Sequence, residues 1–390
     1  MSISKGMKMH KTIIIGGGAS GLMLASLLPK DSATLIESSS KLGAKILVSG
    51  GGSCNITNAL MGSEYYLGDS SFIKPSLKRF NQDALLRWLE RQNLSAVIKK
   101  STQYFCPNSS KEIVDIFIKQ SQKQDIRLDE KVLEVSKEGD VFYVKTNKQT
   151  YKASQVVVAS GGLSYPILGA SAVGYDIASS FGHTITATSP ALVGFTVQRE
   201  QFFFKELSGS STDVVIRVGD NICEGGLLFA HKGISGPAVL DASLFWQKGK
   251  IEIDFLPDFE WSSIKGSKKQ ISSLLSMPKR VTKAFLIQLH LEDKPYNQLT
   301  RQEVEKLQSL SHYIFAPAGT FGYSKAEVTR GGISTLEVNR DTMMSQKSDG
   351  LYFVGEVLDV TGRLGGYNFQ WAFSTAYSCA MELKSIKGKR

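Results

Sequence analysis

A glycine-rich run with a polar end is the strongest candidate for ligand binding in this chain. The run is Ser49-Gly50-Gly51-Gly52-Ser53-Cys54-Asn55-Ile56-Thr57-Asn58. Three successive glycines permit backbone angles and close approaches that side chains would block, and the polar side chains after them can present donors to a ligand. A flexible surface loop would show the same composition. The run by itself therefore leaves a phosphate-binding cradle and a surface loop as equal alternatives.

A second glycine motif, near the N terminus, fits the G-x-G-x-x-G pattern of dinucleotide-binding proteins. Its residues are Gly16-Gly17-Gly18-Ala19-Ser20-Gly21. It lies between a predicted strand at 11–15 and a predicted helix at 19–28. Gly16 would allow the tight turn, Gly18 would let a pyrophosphate approach the backbone, and Gly21 would allow close helix packing. The start of the helix adds a favourable potential for the anion.

An acidic residue lies where such a motif needs one. A predicted strand at 33–37 ends at Glu37, 21 residues after Gly16. At this spacing a carboxylate can bind ribose hydroxyls. A glycine-rich turn in an ordinary α/β core is the alternative, but the agreement of turn, helix and acid favours a dinucleotide site.

A third candidate segment lies near the C terminus. A predicted strand at 350–354 delivers Gly355 and Glu356, and Asp359 follows. A predicted helix at 368–383 then opens with Gly365, Gly366, Tyr367 and Asn368. Flavin disulfide reductase-like proteins use this arrangement, in which the acid binds the ribityl chain and the helix N terminus points at the flavin ring. The segment favours FAD over NAD as the bound cofactor, with a plain strand-turn-helix as the alternative.

The elements that must position these motifs form an α/β pattern with an interruption. Helices are predicted at 81–92 and 111–122, short strands from 131 to 159, and a boundary at 189–190. Beyond the boundary the pattern predicts strands at 194–197, 212–218 and 250–255, then helices at 265–275, 279–289 and 301–309.

The predicted fold class is α/β, with an FAD-binding Rossmann-like domain similar to that of glutathione reductase. The FAD-binding domain takes residues 1–190 and 328–390. A β-rich insertion takes 191–262, and a small helical insertion takes 263–327. One cofactor domain is therefore expected from two sequence segments.

Composition favours a globular protein with an anionic partner. The 390 residues are 42% hydrophobic and 21% charged, and 46 basic against 36 acidic residues give a net charge of +10. Such a charge favours nucleic acid as a partner, and a lysine-rich solvated surface is the alternative.

The cysteines predict neither a disulfide framework nor a zinc site. Cys54, Cys106, Cys223 and Cys379 lie far apart without a C-x-x-C pair, so we expect no metal and a reducing cytoplasm. The apolar stretch at 12–28 holds four glycines and lacks a convincing cleavage site, so export is not expected. No segment reaches the roughly 20 apolar residues that a membrane span needs, so no membrane association is expected.

Further segments resemble a family of three-domain bacterial flavoproteins that includes BaiN-type reductases, aminoacetone oxidases and ribosomal-RNA dihydrouridine synthases. The resemblance runs almost from end to end. The segments that carry it are 42–58, 159–166, 174–175, 182–183, 190–193, 228–237, 328–332, 355–356 and 365–368.

The resemblance implies FAD as cofactor and NAD(P)H as a transient electron donor. Because the sequence shows only one good G-x-G-x-x-G, no separate NAD-binding domain is expected. A nicotinamide donor would therefore have to bind directly against the flavin. The residues expected to contact FAD are Gly16, Gly18, Ala19, Ser20, Gly21, Glu37, Lys45, Ser49, Gly50, Gly51, Asn55, Gly161, Gly355, Glu356, Asp359, Gly365, Gly366, Tyr367 and Asn368.

Two departures from the family pattern affect the substrate. Family members usually carry a basic residue where this chain has Ala44, and an arginine where it has Ser53. Those charges lie near the cofactor and can hold an anionic substrate or donor. Their loss weakens the transfer of any one family activity to this chain.

The chemistry that the resemblance implies is conjugate reduction. Reduced flavin can deliver hydride from N5 to the β-carbon of a conjugated carbonyl while an acid protonates the α-carbon. The C5=C6 bond of uracil and a steroid enone both qualify, and the basic charge favours uridine in large-subunit ribosomal RNA. Two alternatives are an oxidase of a small amine that releases hydrogen peroxide, and an RNA- or partner-binding flavoprotein with a structural or redox-sensing FAD.

Two residues are candidates for the catalytic acid. Cys54 lies in the glycine-rich run, and a suitably placed thiol can donate a proton, although a buried apolar cysteine is as common. His231 could donate a proton or bind a carbonyl, with a structural histidine as the alternative. His183 is expected at a helix end, and Tyr165 and Tyr367 could either line the flavin or pack as ordinary aromatics.

Overall fold

The computed structural model describes residues 8–100 and 102–386. Residues 1–7 and 387–390, which the sequence assigns to the ends of the FAD-binding domain, lie outside the described residues. Two compact units emerge: Met1–Ser189 with Glu327–Arg390, and Pro190–Ala326. They are called here the first and the second unit. Their boundaries fall one residue before each of the two predicted boundaries of the FAD-binding domain.

The strands are β1 Met9–Ile15, β2 Ala33–Ile36, β3 Asn55–Asn58, β4 Tyr66–Leu67, β5 Val97–Lys99, β6 Gln103–Phe105, β7 Asp125–Arg127, β8 Val132–Glu138, β9 Val141–Thr146, β10 Thr150–Val158, β11 Ile185–Ala191, β12 Phe195–Thr196, β13 Ser211–Val218, β14 Asn221–Ala230, β15 Gly233–Ser235, β16 Ile251–Asp254, β17 Tyr313–Phe315, β18 Gly319–Thr320, β19 Val328–Ile333, β20 Leu351–Phe353 and β21 Thr361–Gly362. The helices are α1 Ala19–Leu27, α2 Ala44–Val48, α3 Ser70–Arg79, α4 Gln82–Glu90, α5 Lys111–Ser121, α6 Val173–Ser180, α7 Phe203–Glu206, α8 Pro237–Phe245, α9 Lys279–Gln288, α10 Arg301–Gln308 and α11 Tyr367–Ser385.

A largely parallel sheet forms the centre of the first unit. Its strand order is β7-β2-β1-β10-β9-β8, and β20 also pairs with β10. The strands β7, β2, β1, β10 and β20 are parallel, whereas β8, β9 and β10 form an antiparallel meander. Parallel strands are buried on both faces, which explains the uninterrupted run of isoleucines at the end of β1. The predicted Rossmann-like α/β class is confirmed.

The second unit is built on an antiparallel sheet with the order β17-β16-β13-β14-β15-β12-β18. Its core is shared by residues of the strands and of α9, among them Ile253 and Phe285. The sequence pattern predicted neither β14 nor α8. The division of this unit into a β-rich and a helical part stays a prediction.

One predicted helix, at 265–275, is wrong. The structure has only a single 3-10 turn there, Ile271–Ser273. Gly266 adopts a left-handed φ of +81°, and the Ser272 backbone N–H and hydroxyl donate to the Asp293 carboxylate instead of to a helical turn. Ile271 and Leu275 are buried, as the apolar spacing required, but without a helix.

Candidate cofactor site

The N-terminal glycine motif forms the turn between β1 and α1. A Cβ on Gly21 would lie 1.9 Å from the Gly16 carbonyl oxygen, and one on Gly16 would lie 2.5 Å from the Ala159 carbonyl oxygen. Gly16 also has a φ of +108°, which favours glycine. By contrast, a Cβ on Gly18 would meet nothing within 4 Å. Backbone packing therefore requires two of these glycines, and the third faces open space at the start of α1, where an anion can approach the helix N terminus.

The Glu37 carboxylate is held by the same turn. Its Oε2 accepts a hydrogen bond of 2.7 Å from the Gly17 N–H. Its Oε1 accepts from the backbone N–H and hydroxyl of Ser39, at 2.8 and 2.9 Å. The acid at the end of β2 is thus fixed beside the glycine motif, where the sequence spacing placed it.

Four polar residues that are far apart in the sequence meet in the first unit and are called here the polar centre: Lys45, Ser164, Thr329 and Glu356. The Lys45 Nζ donates to Glu356 Oε2 and to Ser164 Oγ, both at 2.8 Å. The Thr329 N–H donates to Glu356 Oε1 at 2.8 Å, and the Ser164 hydroxyl reaches the same oxygen at 3.2 Å. Lys45 and Glu356 are only partly buried, with 34% and 20% of their side-chain surface exposed, so a ligand can still reach them.

Ser164 and Thr329 were missed as site residues. Thr329 Oγ1 accepts hydrogen bonds from the backbone of Leu163 and Ser164, at 2.7 and 3.2 Å. A Cβ on Gly162 would lie 2.5 Å from Thr329 Oγ1, so this contact needs glycine. Both missed residues belong to family-like segments, 159–166 and 328–332, and that was the signal that could have identified them.

A half-buried acid, Glu327, lies near this centre. Burial raises the pKa of the Glu327 carboxyl, and the positive charges of Lys45 and Lys100 oppose that rise. Tyr165 adopts a left-handed φ of +60°, and its pKa is raised by burial and by the charge of Glu327. Gly161, four residues before this tyrosine, has a φ of +71° and lies beside Glu356.

The N terminus of α1 contacts the Gly355-Glu356 segment. The Ser20 Oγ lies 2.0 Å from the position that a Cβ on Gly355 would take. Ser20 is buried, whereas Ala19 is half-buried. The glycine motif, Glu356 and Lys45 are consequently neighbours in the first unit.

The start of α11 contacts the end of the glycine-rich run. A Cβ on Gly366 would lie 2.7 Å from the Thr57 backbone, and the Asn58 side-chain amide donates to the Gly365 carbonyl at 3.0 Å. Asn368 closes the preceding turn through paired hydrogen bonds of 2.9 Å with the Gly362 backbone.

Two other predicted site residues make specific contacts in the first unit. Tyr367 stacks on Tyr65, with ring centroids 4.9 Å apart. The Asp359 N–H donates to the Ile333 carbonyl at 2.9 Å. The alternative of aromatic packing therefore describes what Tyr367 does in the structure, without testing a contact with the cofactor.

The glycine-rich run begins with a left-handed turn. Gly50, Gly51 and Gly52 have φ values of +56°, +65° and +86°. The Ser49 carbonyl accepts from the Cys54 N–H at 3.1 Å, which closes the turn. The side-chain amides of Asn55 and Gln103 lie 2.7 Å apart. This run is an ordered turn that leads into β3 in the first unit.

The two candidate acids belong to different units. Cys54 is fully buried in the first unit, and its pKa is raised by a hydrogen bond with the Cys106 thiol and by burial. His231 lies on the turn between β14 and β15 in the second unit and is exposed. A thiol with a raised pKa keeps its proton at neutral pH and can act as a donor.

His183 has a structural environment. It is buried just beyond the end of α6, and its Nε2 lies 2.7 Å from the Ser345 hydroxyl. Burial lowers its pKa, although Glu337 opposes that shift.

Within residues 8–100 and 102–386, no cluster of three or more His, Cys, Asp or Glu side chains could hold a metal ion. Over the same residues, no helix combines the length and the apolar character that crossing a bilayer requires.

The parallel sheet and the glycine turn are those of a Rossmann-type domain, and the family match, with a reductase among the named relatives, makes this protein an FAD-dependent oxidoreductase. The family model for the HI0933-like protein Rossmann domain matches residues 10–382. This chain belongs to the HI0933-like Rossmann family, and the resemblance noted in its motifs is confirmed.

Three similar proteins match along nearly their whole length. A "Ribosomal RNA dihydrouridine synthase" of Haemophilus influenzae is 38% identical, with 96% of this chain and 98% of the relative aligned. The Escherichia coli protein of the same name is 36% identical, with 98% and 100% aligned. A "3-dehydro-bile acid delta(4,6)-reductase" of Clostridium scindens is 30% identical, with 95% and 98% aligned.

Solved structures show the same fold at low identity. A quinol-fumarate reductase solved with menaquinol molecules superposes with a TM-score of 0.52 and 13% identity, covering 97% of this chain and 72% of that chain. This similarity concerns the fold alone.

Proposed function

We propose that this protein reduces uridine to dihydrouridine in large-subunit ribosomal RNA, with FAD as cofactor and NAD(P)H as electron donor. The observation that carries the proposal is the near full-length match to two proteins named as ribosomal RNA dihydrouridine synthases. A ribosomal substrate would place the reaction in the cytoplasm.

The residues of the first unit fit FAD. The open space at Gly18 suits a pyrophosphate at the start of α1, and the Glu37 carboxylate suits the ribose hydroxyls. Lys45 and Glu356 would hold the ribityl and ring end. The other proposed contacts are Gly16, Ala19, Ser20, Gly21, Ser49, Gly50, Gly51, Asn55, Gly161, Asp359, Gly365, Gly366, Tyr367 and Asn368.

The chain must supply a proton and exclude water from the reacting bond. When bound, FAD supplies hydride transfer to a carbon–carbon double bond conjugated with a carbonyl. Cys54 is the proposed donor to the α-carbon, because its raised pKa keeps the thiol protonated. His231 remains the second proposed acid.

A ribosomal substrate requires base flipping and electrostatic attraction. A uridine in a stacked RNA cannot reach a buried cofactor, so the base must leave the stack. The net charge of +10 favours binding to the phosphate backbone, and such binding weakens as salt is added.

The proposal is tested by mapping dihydrouridine in ribosomal RNA of a deletion strain. We expect one or more large-subunit positions to lose dihydrouridine and to regain it when the wild-type gene is restored. The matched control restores the gene with Gly18→Ala instead of the wild-type gene. This variant should fold but bind less FAD, so it should not restore the dihydrouridine. Unchanged ribosomal dihydrouridine in the deletion strain would remove this substrate.

A second candidate function is reduction of a small-molecule enone. The relative named as a bile acid reductase favours it, because an enone and uracil both present a double bond conjugated with a carbonyl. Steady-state NAD(P)H consumption with a steroid enone, compared with an unmodified ribosomal RNA fragment, separates the two. Faster turnover of the enone would favour the second candidate.

A further inference from the structure

Cys54 and Cys106 lie opposite each other at the end of a strand pair. Strands β3 and β6 are antiparallel, with Asn55 opposite Phe105, so the residue before β3 faces the residue after β6. The Cys106 N–H donates to the Cys54 carbonyl at 3.3 Å. Opposite residues of antiparallel strands have Cα atoms about 4.5–5.5 Å apart. A disulfide spans Cα distances of about 4.4–6.8 Å, so the backbone spacing suits one.

The two thiols also meet in space. Both cysteines are fully buried, and each thiol shifts the pKa of the other. The cysteine spacing in the sequence predicted no disulfide, because 52 positions separate the pair. The juxtaposition arises only from the pairing of β3 with β6.

The surroundings make the two sulfurs unequal. The hydrogen bond from the Cys54 thiol lowers the pKa of Cys106, as does a backbone N–H donated by Ile113 in the first turn of α5, while burial opposes both. The pKa of Cys54 is raised by the same pairing and by burial. The pairing therefore favours loss of the proton from Cys106 over loss from Cys54, and a thiolate is the nucleophilic form of cysteine.

The glycine turn before Cys54 is partly exposed. Gly51 is exposed, and a Cβ on Gly51 or Gly52 would meet nothing within 4 Å. The Gly52 carbonyl accepts from the Ser110 N–H at 2.8 Å, which ties the glycine turn to the segment after Cys106. Cys54 itself has a left-handed φ of +47°, a conformation that is unfavourable for a non-glycine residue. Local opening of such a segment admits a small oxidant.

We propose that Cys54 and Cys106 are a redox-active pair that forms a reversible disulfide when the protein meets a peroxide. Cys106 loses its proton and its sulfur attacks a peroxide oxygen; the O–O bond breaks, hydroxide leaves and takes up that proton to form water, and Cys106 becomes a sulfenic acid. The Cys54 sulfur then attacks the Cys106 sulfur, forms the S–S bond and expels water. For hydrogen peroxide the balance is two thiols and one peroxide giving one disulfide and two waters.

Oxidation has a consequence for catalysis. The disulfide would remove the proton from Cys54, so the oxidised protein would lack its proposed acid. This consequence rests on the proposed function, whereas the disulfide itself does not.

The experiment maps thiols in the purified, full-length, FAD-loaded protein after treatment with hydrogen peroxide. The protein is oxidised while folded, alkylated after denaturation, digested and analysed by mass spectrometry. We expect a linked peptide pair containing Cys54 and Cys106, with both thiols restored by dithiothreitol. Cys223 and Cys379 should remain alkylatable throughout.

The matched variants are Cys106→Ser and Cys223→Ser. The first should abolish the linked peptides, and the second should leave them unchanged. Activity is not needed for this readout, so a different substrate would leave the outcome unaffected. If peroxide leaves Cys54 and Cys106 as free thiols, or links them only after denaturation, the proposal is wrong. Should Cys106→Ser fail to fold, the wild-type map decides alone.

Discussion

Different kinds of packing stabilise the interior of each unit. The first unit depends on close backbone approaches that only glycine allows, as at Gly21 beside Gly16. The second unit depends on aromatic volume: the Phe204 ring lies within 5.1 to 6.3 Å of the rings of Phe229, Phe255, Phe285 and Phe315. Close approaches have a sequence signature because they demand one residue type at fixed spacing. Aromatic packing demands volume, which many sequences can supply.

The largest expected effect is in the second unit, at Phe204. Replacing this buried ring with alanine should lower the free energy of unfolding by about 3–5 kcal/mol, because contacts with several rings are lost and a cavity remains. Urea denaturation of both variants measures it. The control is Phe202→Ala, two residues away and 48% exposed, where the loss should be about 0.5–1 kcal/mol from its contact with Lys205. Equal losses at the two positions would contradict the aromatic core.

The next effect contrasts two glycines of one motif. Gly21→Ala should lower the free energy of unfolding of the flavin-free protein by about 1–3 kcal/mol, because its Cβ would overlap the Gly16 carbonyl. Gly18→Ala has room for a methyl group and should leave that free energy within about 0.5 kcal/mol of wild type. It should nevertheless reduce the flavin content of the purified protein. A wild-type flavin content in Gly18→Ala would show that no pyrophosphate lies there.

Side-chain charges also stabilise the first unit, at Glu337. Lys347 lies 2.6 Å from its carboxylate, and the Thr184 N–H and hydroxyl donate to it at 2.7 and 3.0 Å. The hydrogen bond from Lys347 is the chief reason that the pKa of Glu337 falls from 4.5 to about 2. Glu337→Gln should lower the free energy of unfolding at neutral pH by about 1–2 kcal/mol.

The pH dependence of that loss has a definite sign. A carboxylate with a depressed pKa stabilises the fold above its unfolded pKa, and the stabilisation disappears as the pH falls through the folded pKa. The difference between wild type and Glu337→Gln should therefore shrink as the pH falls from 4.5 to about 2. Urea unfolding across this range tests it, with the exposed Glu134→Gln as the control. A constant difference would show that the charge of Glu337 is not responsible.

The smallest expected effect is at a helix start in the second unit. Thr300 and Glu303 form a capping box at α10, in which each side chain binds the other's backbone N–H. Thr300→Ala should cost about 1 kcal/mol of unfolding free energy, and Thr300→Ser, which keeps the hydroxyl, should cost less. Equal values for the two variants would show that the cap does not stabilise the helix.

Local spacing was enough to predict the first strand, glycine turn and helix of the first unit. The turn at Gly16, the start of α1 and the position of Glu37 follow from residues within one β-α-β unit. The pairing of Lys45 with Glu356 could not follow in this way, because 311 positions separate them and only the folded sheet brings them together.

Contacts between distant parts of the sequence also explain why the helix at 265–275 was wrongly predicted and why the proximity of Cys54 and Cys106 was not predicted. The apolar spacing around Ile271 matched a helix, but backbone contacts with Lys294 and the left-handed Gly266 determine the observed conformation. The neighbourhood of Cys54 and Cys106 depends on strand register, which no local pattern encodes.

The proposed function requires FAD in the first unit to transfer electrons from NAD(P)H to a uridine of ribosomal RNA. The direct measurement is an anaerobic experiment in which NADPH or NADH first bleaches the flavin absorbance of the purified protein. Large-subunit ribosomal RNA from a deletion strain is then added, and both flavin absorbance and dihydrouridine are followed. We predict that the absorbance returns in proportion to the dihydrouridine formed, and that RNA already modified restores little. Return of the absorbance only after oxygen is admitted, with no dihydrouridine, would contradict the proposed function.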